Sequence, residues 1–288
     1  MNRPVLTARA RRAAWAAGFF VAGVLGCESS GKASAEQARS HVVFLQEKAK
    51  EDVTEVQKGL PLGVPHLVKL FEQEGTPETR AEQARDLLED ARDKVQDLRV
   101  AKSTFFAVAG KDGIVIRNDR EQDAMAGRAL FASFPELKRA LESKYVESRG
   151  SMPEAAGVRG RPDGQWVAAA PVKAGGEVRG LYVTGWSWSA YAYRMENALR
   201  SELSSKLEGV ETLPLLYVYM IVDDAAYGAP VSPDVNAKAI VAMKPLEKAR
   251  AEPFATEIEI TGRSFGLAVG RVPELGKDVA IAVLRSET

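Results

Sequence analysis

The chain has a single cysteine among its 288 residues, and only two histidines. One cysteine excludes an intrachain disulfide and any paired-cysteine zinc site. The histidines, His41 and His66, both fall early in the chain, and neither belongs to a His-Glu-x-x-His run. Walker-type and Cys-Cys-His haem-attachment runs are absent as well. A hydrolase needs a nucleophile, a base and a group that orients the base, and no histidine lies later in the chain to serve. Carboxylate pairs remain, but with 39 acids any chosen pair is uninformative. The expectation is a protein that is not an enzyme and holds no cofactor or metal. An excess of charge is also lacking, with 39 basic residues against 39 acidic ones. Nucleic-acid binding calls for a clustered basic field, so no nucleic-acid partner is expected. Beyond the first residues, no apolar run approaches the roughly 20 residues of a membrane-spanning helix.

What is present begins with a targeting pattern. Arg3, Arg9, Arg11 and Arg12 precede an uncharged, mostly apolar stretch from Ala13 to Gly26 that contains Trp15, Phe19, Phe20, Val21, Val24 and Leu25. The stretch is short for a bilayer span and suits the apolar region of a signal peptide. It ends at Val24-Leu25-Gly26-Cys27, which resembles the bacterial lipobox, with Val24 where leucine is commoner. The resemblance implies a diacylglycerol on the Cys27 thiol, cleavage after Gly26 and acylation of the new amino terminus. Cleavage would remove four of the 39 basic residues and none of the 39 acids, leaving a net charge of −4. Three acyl chains would anchor the protein firmly, since each buried methylene contributes about 0.8 kcal/mol. Glu28 rather than aspartate after the cysteine points to the outer membrane, facing the periplasm, with the outer leaflet of the inner membrane as the other location.

Past a flexible tether, 27–35, the pattern predicts helices over 36–102. Val42, Leu45, Ala49, Val53, Val56 and Leu60 recur at three- and four-residue spacing. The run from Gly59 to Pro65 is expected to break that helix. Thr76 and Pro77 are placed as cap and first residue of the next one, whose stripe is Ala84, Leu87, Leu88, Ala91, Val95 and Leu98. The mixed charges on its outer face suit a solvated surface.

From Ser103 the texture becomes β. Strands are expected at 104–109 and 114–118 around the Asp112-Gly113 turn. Short helical pieces are expected within 120–147, around Ala124-Met125 and from Pro135 to Leu141. A Gly-rich loop or lid at 149–164 comes next, then a hairpin of 165–172 and 177–186 and a helix from Ser189 to about Leu207. The plan then partly recurs. A strand at 215–223, a turn at 224–228, a helix at 235–249 and strands at 256–260, 264–269 and 279–284 suggest a duplication at roughly 110-residue spacing.

Phe105-Phe106-Ala107-Val108 with Lys111-Asp112-Gly113-Ile114-Val115, and Ala169-Ala170-Pro171-Val172 with the 175–183 return, resemble the Cache family of extracytoplasmic sensors. The resemblance implies an α+β, PAS-like fold: long N-terminal helices, then an antiparallel sheet with helices on one face and a small-molecule pocket between. The duplication suggests two tandem units, 103–207 and 208–288, after the signal segment 1–26. The family's amino-acid-binding motif is not recognisable here, so amino-acid specificity is not implied. The chain ends just after a strand, so a sensor of this kind is expected to report to a separate membrane signalling or envelope protein.

The candidate ligand-binding residues are Arg117, Trp166, Trp186, Trp188 and Tyr191. The aromatics, with Tyr193, cluster at the closing hairpin and could wall an apolar pocket. Arg117 could pair bidentately with an anionic ligand. Asp223 and Arg263 would be the counterparts in the second unit. The expected function is a membrane-anchored lipoprotein that senses a small molecule through a partner. The alternative is a structural lipoprotein of an envelope or motility complex that has no ligand.

Overall fold

A computed structural model describes residues 30–73, 76–101, 103–156, 163–206 and 214–286. The signal segment and the lipid site at Cys27 lie outside the described residues. Helix α1 spans Ser30–Leu67. Its stripe of Ala35, Ala38, Val42, Leu45, Ala49, Val53, Val56, Leu60 and Leu67 is buried from end to end.

The expected break at 59–65 does not occur, and α1 runs through Pro61 and Pro65. Each proline removes one helical hydrogen bond, but packing on both sides holds the axis. A Cβ on Gly59 would stand 2.8 Å from Leu98 Cδ2, and one on Gly63 would stand 2.6 Å from Tyr182 Cε1. These glycines let α1 lie directly against its neighbours, and burial outweighs the lost hydrogen bonds. Helices α2 (Lys69–Glu72), α3 (Pro77–Lys94) and α4 (Gln96–Val100) fold back along α1. Thr76 caps α3, its hydroxyl accepting the Thr79 N–H at 3.3 Å.

The first unit is a five-stranded antiparallel sheet of β1 (Phe105–Gly110), β2 (Val115–Asn118), β3 (Val146–Gly150), β4 (Gln165–Ala174) and β5 (Glu177–Ser187), in the order β2-β1-β5-β4-β3. Helix α5 (Leu130–Ser133), a 3-10 helix at Pro135–Glu142 and α6 (Pro153–Ala156) cover one face. No helix forms at Ala124-Met125. There the Asp123 carboxylate accepts the N–H groups of Asn118, Met125 and Ala126 and fixes a turn. Strand β3 occupies part of the stretch expected to be helix and loop. It is a short polar edge strand, which carries little apolar alternation to betray it. The middle of the expected lid, 157–162, lies outside the described residues.

Helix α7 (Trp188–Lys206) leads to the second unit, made of β6 (Leu215–Val222), β7 (Ala225–Gly228), α8 (Asp234–Ala242), α9 (Pro245–Lys248), β8 (Phe254–Ile260), β9 (Arg263–Arg271) and β10 (Val279–Ser286). Its order, β7-β6-β10-β9-β8, repeats the first, so the duplication read from the sequence is a duplication of topology. Two expectations are corrected. The stretch 225–228 is a strand, and the turn narrows to Asp223-Asp224, with Asp223 at φ 52°. The helix at 235–249 is split at Lys244, φ 50°, because Pro245 disfavours right-handed helical geometry at the residue before it.

Strand side chains alternate between two cores. Phe106, Val108, Trp166, Tyr182 and Trp186 of the first sheet, and Val218, Met220, Ile281 and Val283 of the second, join the stripe of α1 in one shared core. The opposite faces pack separately, with Phe105, Phe134 and Leu137 in the first unit and Tyr219, Ile240 and Leu267 in the second.

Candidate functional site at the junction of the two units

The aromatic residues singled out from the sequence do come together, on the sheet face turned toward α1. Trp166 on β4 and Trp186 on β5 are cross-strand partners, and their rings stack at 4.3 Å. Trp186 stacks on Tyr191 of α7 at 4.6 Å. Tyr191 donates its hydroxyl to Asp52 on α1 at 3.0 Å, and the Arg194 guanidinium lies over its ring at 5.5 Å. Burial, and then the Asp52 charge, raises the Tyr191 phenol well above its ordinary range. Burial lowers Arg194, and Asp52 opposes that shift. Trp188 is also buried, whereas Tyr193 is half exposed. This column ties the closing hairpin, α7 and α1 together. Trp166 also borders a cleft of about 290 Å3 with Glu136, Glu147, Arg149 and the 273–276 turn of the second unit. Arg149 stands 3.7 Å from Asp223 across the same seam.

Arg117 is held within its own loop. It lies 3.4 Å from Asp123 and donates to the carbonyls of Arg120 and Glu121. Asp223 is exposed at the seam, and Arg263 is exposed at the start of β9.

A second group of polar residues gathers where α7 leaves the first unit. Ser187 caps α7, accepting the Ala190 N–H at 3.2 Å. Asp163, just before β4, is buried beside it. Burial raises the Asp163 carboxyl, while the hydroxyls of Ser187 and Ser189 and the Ser189 N–H pull the other way. None of these reaches hydrogen-bond geometry with either carboxylate oxygen. The Asp163 charge also acts on Tyr227 of β7, whose phenol is raised first by its own burial. Beyond Ser189 lies a cavity of about 170 Å3 bounded by Tyr219, Tyr227, Gly228, Ser232 and Asp234. Burial pushes Tyr219 up to about 12 against the opposing donors Asn236 and Ser232. Sequence reasoning missed this group. Its members are single polar letters scattered from 163 to 236, and no spacing rule joins them before the two units are docked.

No protein-family model matches the sequence, and no curated protein matches it. Solved structures do share the fold. A domain of a sensory box/GGDEF family protein from Vibrio parahaemolyticus superposes with a TM-score of 0.54 at 8% identity, over 90% of this chain and 98% of that one. The extracellular ligand binding receptor from Desulfohalobium retbaense gives 0.52 at 12% identity, over 86% of this chain and 40% of that one. The ligand-binding domain of the Campylobacter jejuni chemoreceptor Tlp3, in complex with 4-methylisoleucine, gives 0.51 at 10% identity, over 91% and 93%. At such identities the likeness is one of fold. The described chain is a tandem pair of PAS/Cache-like units on a shared N-terminal helix, the α+β architecture of those domains.

Proposed function

We propose that this chain is an extracytoplasmic sensory lipoprotein. It is anchored through Cys27 in the outer membrane, faces the periplasm, binds a small molecule and acts through a separate membrane signalling or envelope protein. It carries out no chemistry of its own. The observation that supports this most is the tandem PAS/Cache-like fold, shared with domains described as sensory or ligand-binding. The junction cavities offer places where a ligand could meet both units at once. Among the described residues no helix is long and apolar enough to cross a membrane, and a lipid on Cys27 would supply the attachment.

The test is a thermal-shift screen of residues 28–288, the mature chain without its lipid-bearing cysteine, against a broad metabolite panel. A compound present at about 100 times its Kd would add about 2.7 kcal/mol and raise the melting temperature dose-dependently. A panel without a single dose-dependent shift sinks the sensory reading. The anchor is tested separately, by membrane fractionation and by the mass of the Cys27 peptide. Cys27→Ala is expected to release the protein from the membrane fraction.

One observation favours the alternative of an assembly lipoprotein. The first unit's face away from α1 is filled by its own side chains, with Phe105, Met125, Leu130, Phe134 and Leu137 all buried. Co-purification of one stable partner, with no ligand shift, would support that reading.

A further inference from the structure

The edge of a sheet presents backbone N–H and C=O groups that can pair with another chain. Strand β3 is such an edge, since it ends the first sheet and pairs with β4 alone. The cleft of about 290 Å3 is bordered by Glu147, Ser148 and Arg149 in succession, and on its far side by the 273–276 turn of the second unit. Alternation along the strand sends Glu147 and Arg149 to the face turned toward α1, where Gln57 donates to Glu147. Ser148 points with Val146 to the other face, under the 3-10 helix that brings Glu136. A cleft bounded from both faces of one strand lies along that strand's free edge.

Two polar atoms of its lining residues are unsatisfied. Ser148 is 5% exposed, and its Oγ has no hydrogen-bond partner. The Arg149 Nη1 is buried without one, 3.7 Å from Asp223. Both atoms can donate, so they call for acceptors. The other charges in the walls are carboxylates. Glu136 is held by Arg139 at 3.2 Å, and Glu147 accepts from Tyr145 at 3.0 Å and Gln57 at 2.9 Å. Glu274 makes no hydrogen bond or ion pair among the described residues. Glu136, Glu147 and Glu274 against Arg149 alone favour a cation over an anion. A polyamine would meet the carboxylates but has no acceptor for Arg149. An extended peptide brings carbonyls for the unsatisfied donors, a backbone for the strand edge, and a lysine or arginine for Glu274.

We propose that this edge docks an extended, basic segment of the partner protein, which joins the first sheet as a strand beyond β3. The inference rests on the proposed action through a separate protein and gives that protein its point of contact. The docked strand would touch both units at once, beside Trp166 at the end of the aromatic stack.

The experiment is selection from a displayed library of random peptides on residues 28–288, followed by hydrogen exchange with an enriched peptide bound. Enrichment of lysine and arginine is expected, with depletion of proline, which lacks the N–H that a ladder needs. Exchange in β3 is expected to slow. Glu274→Lys, on the turn of the second unit, is expected to weaken an enriched peptide about tenfold by reversing the charge it meets. Ser148→Ala is expected to weaken it about fivefold, the loss of one hydrogen bond. Melting curves are recorded for both variants, and Glu274→Lys keeps the test decisive if Ser148→Ala does not fold. The inference is overturned if no peptide is enriched, or if acidic or proline-rich peptides are. It is overturned equally if spermidine displaces an enriched peptide that Glu274→Lys leaves unaffected, or if a bound peptide leaves exchange in β3 unchanged. A metabolite that shifts the melting temperature while no peptide is selected would keep the sensory reading and overturn this docking site alone.

Discussion

The two units have one strand order and two ways of closing the face that points away from α1. In the first, the cover of α5 and the 3-10 helix sinks Leu130, Phe134, Leu137 and Ala140 fully into the core. In the second, α8, α9 and the residues that end them bury Ile240 and Ala249 but leave Ala237, Ala239, Met243 and Leu246 only partly covered. The second cover is also split at Lys244, and two of its cavities open beside α8 and α9. Topology is thus repeated where packing is not. A sheet held on one face by the common helix keeps its order even when its other face is loosely closed, because the shared core already supplies most of the apolar burial.

Substitutions can break or sharpen this contrast. The largest effect is expected at the core common to both units. Trp186→Ala removes the middle ring of the aromatic stack and should cost about 3–5 kcal/mol in urea unfolding. If the two units were energetically independent, only part of the unfolding transition would move. A single shifted transition is expected.

Next comes the direct comparison of covers. Phe134→Ala should cost about 3–5 kcal/mol, since its ring is fully buried. Met243→Ala, partly exposed on the second cover, should cost less than the roughly 2–5 kcal/mol of a buried methionine. Equal losses would remove the distinction drawn between the units. At the joint, Tyr191→Phe deletes the donor that Asp52 accepts at 3.0 Å, for a loss of about 1–2 kcal/mol.

A smaller effect with a definite sign is expected at Asp163. Burial raises its folded-state carboxyl above the unfolded value. The folded state therefore holds the proton more tightly, and stability falls as pH rises from the unfolded carboxylate value through the raised one. Asp163→Asn should raise the melting temperature at pH 7 and leave it nearly unchanged near pH 3. A gain of the same size at both pH values would show that burial of charge is not the cause.

Much of the fold could be read from the sequence because it is written in periodic apolar residues. Val42 to Leu60 gave α1, and Asp112-Gly113 and the 173–176 turn gave two hairpins. The Trp166, Trp186 and Tyr191 cluster was visible as letters, but not as a stack against α1. Strands β3 and β7 were not legible, being short edge strands that mix polar or small residues without alternation. The continuity of α1 was missed because Pro61 and Pro65 argue locally for a break, and only the fit of Gly59 and Gly63 against Leu98 and Tyr182 overrides them. The polar cavity was illegible for a related reason. Ser189 follows the last strand of the first unit and Ser232 lies in the second, and only the docking of those units brings both to one cavity.

The way α1 divides its two halves has a consequence for biosynthesis. Its later half packs on the first unit, as in the bond from Gln57 to Glu147, whereas its earlier half lies on strands made at the end of translation. Gln46 donates to the Arg271 carbonyl 225 residues away, and Gly270 leaves room for Val42. Ribosomes release the N-terminal side first. The early half of α1 must therefore carry its apolar stripe uncovered until β9 and β10 emerge. Contacts this distant in sequence form slowly, and through that interval the nascent chain presents a sticky amphipathic helix. Chaperone demand should accordingly fall sharply once the last two strands are complete.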